Sequence, residues 1–216
     1  LSALGYTAET DTDIGNYQQQ FTIGSKKLSE QLTSLAQLTS NETAFTQTLS
    51  DIDKRYQQYA DAVSVMFSAR RQGVLLQQSV LTEFTALEQL IDNIGANLLD
   101  ISYLELPGSE QQMELIAGTA NRIDGQLLGL LNTLKEVSNY TEQAAAEAGQ
   151  ENIGFALSDM QVNIDYMANL VANRDTGGLW QDVTAQLAEL TTQLQASESL
   201  ASLKLQQVAA QQQARN

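Results

Sequence analysis

Arg70, Gly73 and Gln77, with Tyr140 and Thr141, are the residues of this chain whose types and spacing could grip a small ligand. They are conspicuous by position. Phe45, Leu49, Ile52, Tyr56, Tyr59, Val63 and Met66 alternate four and three residues apart, as do Val80, Phe84, Leu87, Ile91, Ile94 and Leu98, which is a heptad seam. Between the two runs the same register falls on Arg70, Gly73 and Gln77, where a helix facing partners would present Leu or Ile. An unpaired buried guanidinium is so costly that Arg70 must meet an acid, reach solvent or meet a ligand. A carboxylate fits the planar fork of arginine. Gly73 would make room beside it, and Gln77, Tyr140 and Thr141 would add neutral hydrogen bonds. The competing reading is that Arg70 or Arg71 snorkels outward to one of the many acids and that the polar layer only fixes register.

Arg122 and Arg174 are weaker candidates: Arg122 flanks its seam, and Arg174 with Asp175 sits at a helix end, where a cation offsets the dipole. Asn41 in "NET" and Asn139 in "NYT" match the glycosylation sequon, a short pattern that also arises by chance. Tyr56 and Tyr59 read as core residues.

The elements that must position these residues are helices. One Pro, no Cys and no His among 216 residues rich in Ala, Leu, Gln, Glu and Ser describe an all-α chain. The absence of Cys and His removes the usual zinc and thiol chemistry and the commonest general base, so neither enzyme activity, a metal nor a cofactor is expected. A net charge of −15 with eleven scattered basic residues would repel nucleic acid. No window approaches the ~20 apolar residues of a membrane helix, and the start has no signal-peptide pattern. Both ends look like helices entered or left partway, as in an excised segment.

The periodicity predicts helices over 2–22, 25–39, 42–104, 109–149, 151–173 and 179–214, with Gly24 as a left-handed cap, Ser25 as the next N-cap, and Pro107–Gly108 as the sharpest reversal. A helix over 42–104 would extend roughly 90 Å. It predicts an elongated six-helix protein of two stacked bundles sharing long helices, with the polar break between them. If residues equidistant from the Pro107 reversal face each other, Arg70 lies near Thr141 and Gln77 near Leu134, which brings Tyr140 and Thr141 to the break. Trp180, after two glycines, is expected to anchor the corner before the last helix.

Two segments carry a resemblance. "NYQQQFTIGSKKLSEQLTSL" and "LSDIDKRYQQYADAVSVMFSARRQ" are similar to the first corner and the tyrosine-bearing long helix of the helical bimodular sensor family of bacterial chemoreceptors and histidine kinases. The resemblance implies a periplasmic domain of an inner-membrane protein, 1–216 being one sensor domain of a membrane-proximal and a membrane-distal module. Its transmembrane helices would lie outside this segment. It further implies chemotaxis signalling and a small organic acid or amino acid, containing a carboxylate, bound between helices; a homodimer is allowed. The first helix has no Arg or Lys before Lys26, where dicarboxylate-binding members place arginines; Asn16, Tyr17 and Gln20 stand there, leaving a monocarboxylate, an amino acid or an amine. Two other classes fit the composition: a histidine-kinase sensor that reads a periplasmic binding protein, and a structural helical-bundle protein.

Overall fold

The computed structural model describes residues 1–39, 43–105 and 108–215. Among them every regular element is an α-helix: α1 (Ser2–Thr7), α2 (Asp11–Leu38), α3 (Thr43–Ser102), α4 (Glu110–Asn139), α5 (Gln143–Val171), α6 (Leu179–Gln195) and α7 (Leu200–Gln213). The fold is all-α. Six of these helices have 14 residues or more, and α1 has six. No helix among the described residues is long and apolar enough to cross a membrane.

The helix boundaries differ from those expected in three places, each for a local reason. The first break falls at Ala8–Thr10, and α2 runs straight through Gly24 and Ser25. A solvent-exposed glycine costs a helix only about 1 kcal/mol relative to Ala, whereas Thr10 makes a strong start: its Oγ1 accepts from the Asp13 amide at 3.1 Å and donates to the Asp13 carboxylate at 2.6 Å. Asp11 and Asp13 in the first turn favour the positive end of the dipole. The second break falls at Tyr140–Glu142 and not near residue 150. Ser138 Oγ and Asn139 Nδ2 both donate to the Lys135 carbonyl at 2.7 Å, closing the last turn of α4. Gly149 stays helical because α5 packs tightly there: a Cβ on it would lie 2.5 Å from Val137 Cγ2 and 3.0 Å from Tyr140 Cε2. The third break, at Ala196–Ser199, divides the helix expected over 179–214.

Other signals hold. Gly177 and Gly178 adopt left-handed conformations (φ 62° and 87°), the Gly177 amide donates to Asp175 Oδ1 at 2.9 Å, and Trp180 is buried at the start of α6. Ser109 and Gln112 form a capping box at the head of α4, one residue after Gly108 at φ 155°. Pro107 and the sequon residue Asn41 lie outside the described residues.

The chain divides into two compact units, Leu1–Gln77 with Gln206–Asn216, and Gln78–Leu205; α3 and α7 contribute to both. The second unit holds the large core, in which the expected seams are buried: Leu87, Ile91, Ile94 and Leu98 of α3, Ile123, Leu127, Leu130 and Leu134 of α4, Met160 and Met167 of α5, and Leu187 and Leu190 of α6. The first unit has a small core of Ile14, Val63, Phe67 and Val74, with Tyr17, Phe21 and Met66 around it. Elsewhere in that unit much of the apolar surface faces solvent: Leu49 is buried, but Leu35, Leu38, Phe45, Ile52 and Tyr59 are exposed.

The position of the first break is directly testable. Gly24 is exposed, with nothing within 4 Å of an added Cβ. In a continuous helix, Gly24→Ala stabilises by about 0.5–1 kcal/mol, and Thr10→Ala destabilises by about 1 kcal/mol, in urea melts. A destabilising Gly24→Ala would place the left-handed corner back at Gly24.

Candidate functional site

Arg70 is half-buried, and its fork is spent on one acceptor: Nε and Nη2 donate to the Ala8 carbonyl at 3.2 and 2.9 Å. Ala8 is the C-cap of α1, so this oxygen is one that the helix itself leaves unpaired. The neighbouring arginine takes the other side of the same corner. Arg71 binds Asp11, the first residue of α2, through an Nε–Oδ1 contact and a second bond from Nη2 to Oδ2 at 3.0 Å. The hydrogen bond to Asp11, and then its charge, raise the Arg71 pKa above the ordinary arginine value. The two readings of the polar seam thus divide between adjacent residues: Arg71 pairs outward with an acid, and Arg70 points at a backbone carbonyl brought to it by the break in the N-terminal helix.

Gly73 is buried beside α7. A Cβ there would sit 3.6 Å from Gln211 Cγ and 4.0 Å from Ala210 Cβ, at ordinary van der Waals distance, so α7 borders the side of α3 on which a ligand was expected. Gln77 is exposed. Arg70, Gly73 and Gln77 belong to the first unit and Tyr140 and Thr141 to the second, so the five candidates divide between the units. The equidistance rule that linked them also fails where it can be checked: Gly95 of α3 lies against Asp124 of α4, not against Ile116, an offset of about two turns.

A groove in the first unit was not foreseen. Ser2, Ala3 and Tyr6 of α1 form one wall, Tyr59, Val63 and Met66 of α3 the other, and Arg215 follows α7 at its end; its volume is about 450 Å³. Met66 lies one helical turn from Arg70, so the clamp and the groove share a face of α3. Ser2 Oγ and the Tyr59 hydroxyl are 3.0 Å apart. Behind them Tyr59 meets Phe21 edge-on with centroids 6.0 Å apart, and Phe21 lies 6.0 Å from Phe67. Gly5 lets α1 settle on this cluster, since a Cβ there would come within 2.0 Å of Phe67 Cε1. Tyr59 is therefore a half-exposed groove residue and not the core residue its seam position predicts; Tyr56 is half-buried beside it. The seam marks which face of α3 Tyr59 occupies, but no local signal tells that the partner helix is as short as residues 2–7.

In the second unit Tyr140 caps α4 and lines a groove of about 550 Å³ with Asn132, Lys135, Glu136 and Asn139. Thr141 is exposed in the link to α5. Lys204 is the residue that sequence reasoning missed here. It is 6% exposed and its Nζ donates to the Ser138 carbonyl at 2.8 Å, holding the C-terminal turn of α4. The spacing of Leu200, Lys204 and Val208, one turn apart and all buried, was the signal. Burial lowers the Lys204 pKa below its ordinary value. Arg174 behaves as a helix-end cation, its Nη1 donating to the Leu170 carbonyl and its Nη2 to Gln112 Oε1 at 2.9 Å. Arg122 is exposed. Among the described residues no group of three or more acidic side chains is placed to hold a metal ion. No family model matches the chain, and no curated protein or solved structure is significantly similar to it.

The buried lysine gives a pH signature. Because its folded pKa lies below the unfolded value of 10.5, the unfolded chain binds more protons in the window just under that value, and folding gains as pH rises through it. Urea melts of wild type and Lys204→Met, compared from pH 8 to about 10.5, are expected to show the difference moving in favour of wild type. A difference constant across that range would show that the ammonium is not desolvated.

Proposed function

We propose that this chain is the extracytoplasmic sensor domain of a methyl-accepting chemotaxis receptor, non-enzymatic, that binds a small organic acid or amino acid between helices and signals across a membrane. The observation that carries the reading is the wall of the groove in the first unit. It is α1, a six-residue helix joined to α2 through the break at Ala8–Thr10 and tied to α3 by the Arg70–Ala8 bonds. A molecule in that groove touches α1 and α3 at once, so its affinity differs between positions of α1, which is what a population shift requires. The resemblance of the segments around Tyr17 and Tyr56 to helical bimodular sensors supports the same reading. Arg70 acts here as the tether of the moving wall, because a ligand carboxylate could use its fork only by displacing the Ala8 carbonyl.

A second reading has its own observation. The exposed apolar run of α2 and α3, with Leu38 83% and Ile52 46% exposed, suits a sensor that reads a partner protein, such as a histidine-kinase domain meeting a periplasmic binding protein.

A thermal-shift screen against organic acids and amino acids separates the two. Ligand at about 100 times its dissociation constant adds roughly 2.7 kcal/mol, a shift easily seen. The expected result is a stabilising acid whose effect falls in Arg70→Ala, where α1 is untethered. A complete screen with no stabilising compound would defeat the small-molecule reading and leave the protein-reading sensor.

A further inference from the structure

We propose that the groove between α1 and α3 selects a monocarboxylate with a compact apolar body, of the aryl-acid class, with Arg215 as its anchor. The inference rests on the sensor reading above and names the ligand chemistry of that same site. The body of the ligand is set by the walls. Tyr6, Tyr59, Val63 and Met66 are among the residues that line the groove, which at about 450 Å³ has room for one ring and a short side chain. Tyr6 and Tyr59 are 40% and 49% exposed, so ring faces and edges remain uncovered for stacking. Met66 supplies a polarizable thioether that packs well against an aromatic edge.

The charge of the ligand is set by the one cation among the described residues that line the groove. Arg215 lines it, is exposed, and has no carboxylate partner among the described residues, unlike Arg71, which holds Asp11. No acid lines the groove. In a chain of net charge −15 a cation facing an apolar groove with no counter-charge is a local inversion of the surface, and it selects an anion over the amine that the overall charge would attract. The number of carboxylates is set by the donors. Arg215 supplies one bidentate fork, and the Ser2–Tyr59 hydroxyl pair uses only one of its two protons in its mutual bond, leaving one further donor. Arg70, one helical turn from Met66, is committed to Ala8. A second carboxylate would therefore be desolvated against apolar walls without a partner, which disfavours dicarboxylates.

The test uses the methionine methyls. Of the four methionines, Met66 lines the groove, while Met113, Met160 and Met167 belong to the second unit, giving one probe and three internal controls. The protein labelled with [¹³C-methyl]methionine is titrated with phenylacetate, benzyl alcohol, acetate and succinate. Phenylacetate is expected to shift the Met66 methyl alone, with benzyl alcohol (body without charge), acetate (charge without body) and succinate each at least about tenfold weaker. Arg215→Gln, at an exposed position where folding is checked by unmoved Met160 and Met167 signals, is expected to weaken phenylacetate by a similar factor. Unweakened binding to Arg215→Gln, or shifts confined to the second-unit methionines, would overturn the assignment of the groove. Succinate or an amino acid moving Met66 while phenylacetate does not would overturn the ligand class and leave the sensor reading standing. If no carboxylate moves any methyl or the melting temperature, both fall.

Discussion

A helix of 60 residues, α3, is stable in water only where other helices cover its apolar seam, and the rest of the chain is arranged around that requirement. In the second unit the requirement is met. Leu87, Ile94 and Leu98 are fully buried by residues of α4, α5 and α6, whose own seams repeat at the same spacing. Cross-helix polar contacts then fix register there: Asn97 Nδ2 donates to Gln186 Oε1 at 3.0 Å, and Gln126 bridges Asp159 and Asn163 on α5. In the first unit the same seam outruns its cover, and Phe45, Ile52 and Tyr59 remain exposed.

The polar break in the seam follows from a second constraint, the unpaired carbonyls that every helix end leaves behind. The chain breaks its helices without proline among the described residues, and it meets the freed carbonyls with long cations. Arg70 reaches the end of α1, Lys204 the end of α4, and Arg174 the end of α5. Two of these, Arg70 and Lys204, stand on apolar faces of their own helices, because the carbonyls they serve belong to other helices packed against those faces. A cation in a heptad seam of a strongly acidic protein is thus explained by packing as well as by ligand chemistry, and in this chain packing claims Arg70.

Periodicity made the all-α fold and the buried residues of the second unit legible, because burial on one side of a helix stamps a regular spacing on the sequence. It did not make the breaks legible. Gly24 and Gly149 look like stops, yet glycine is a weak stop: Gly24 stays helical in the open and Gly149 under Val137 and Tyr140. The real first break is written in Thr10 and Asp13, a cap that lies inside a segment whose spacing already reads as helix. The candidate site suffered more, because it depended on which residues meet across the fold. Ala8 lies 62 positions from the arginine that binds it, and no feature of either residue announces the other. Lys204 was legible in principle, since a lysine placed one turn from both Leu200 and Val208 has to find a partner inside the protein.

The contrast between the units bears on where a ligand can act. Local opening costs least where few apolar side chains are buried and where polar contacts are few and near solvent. In the first unit Ile14, Val63, Phe67 and Val74 form the buried core, and α1 is held by Gly5 on the Phe67 ring, by the Arg70 bonds to Ala8, and by a hydroxyl contact between Ser2 and Tyr59. None of these ties is a covered apolar seam. In the proposed sensor a ligand of ordinary affinity would therefore bias the position of α1, whereas the interlocked seams of the second unit would demand far more differential binding energy for a comparable displacement. On that proposal α1 is the responsive element, because its ties are few and lie near solvent.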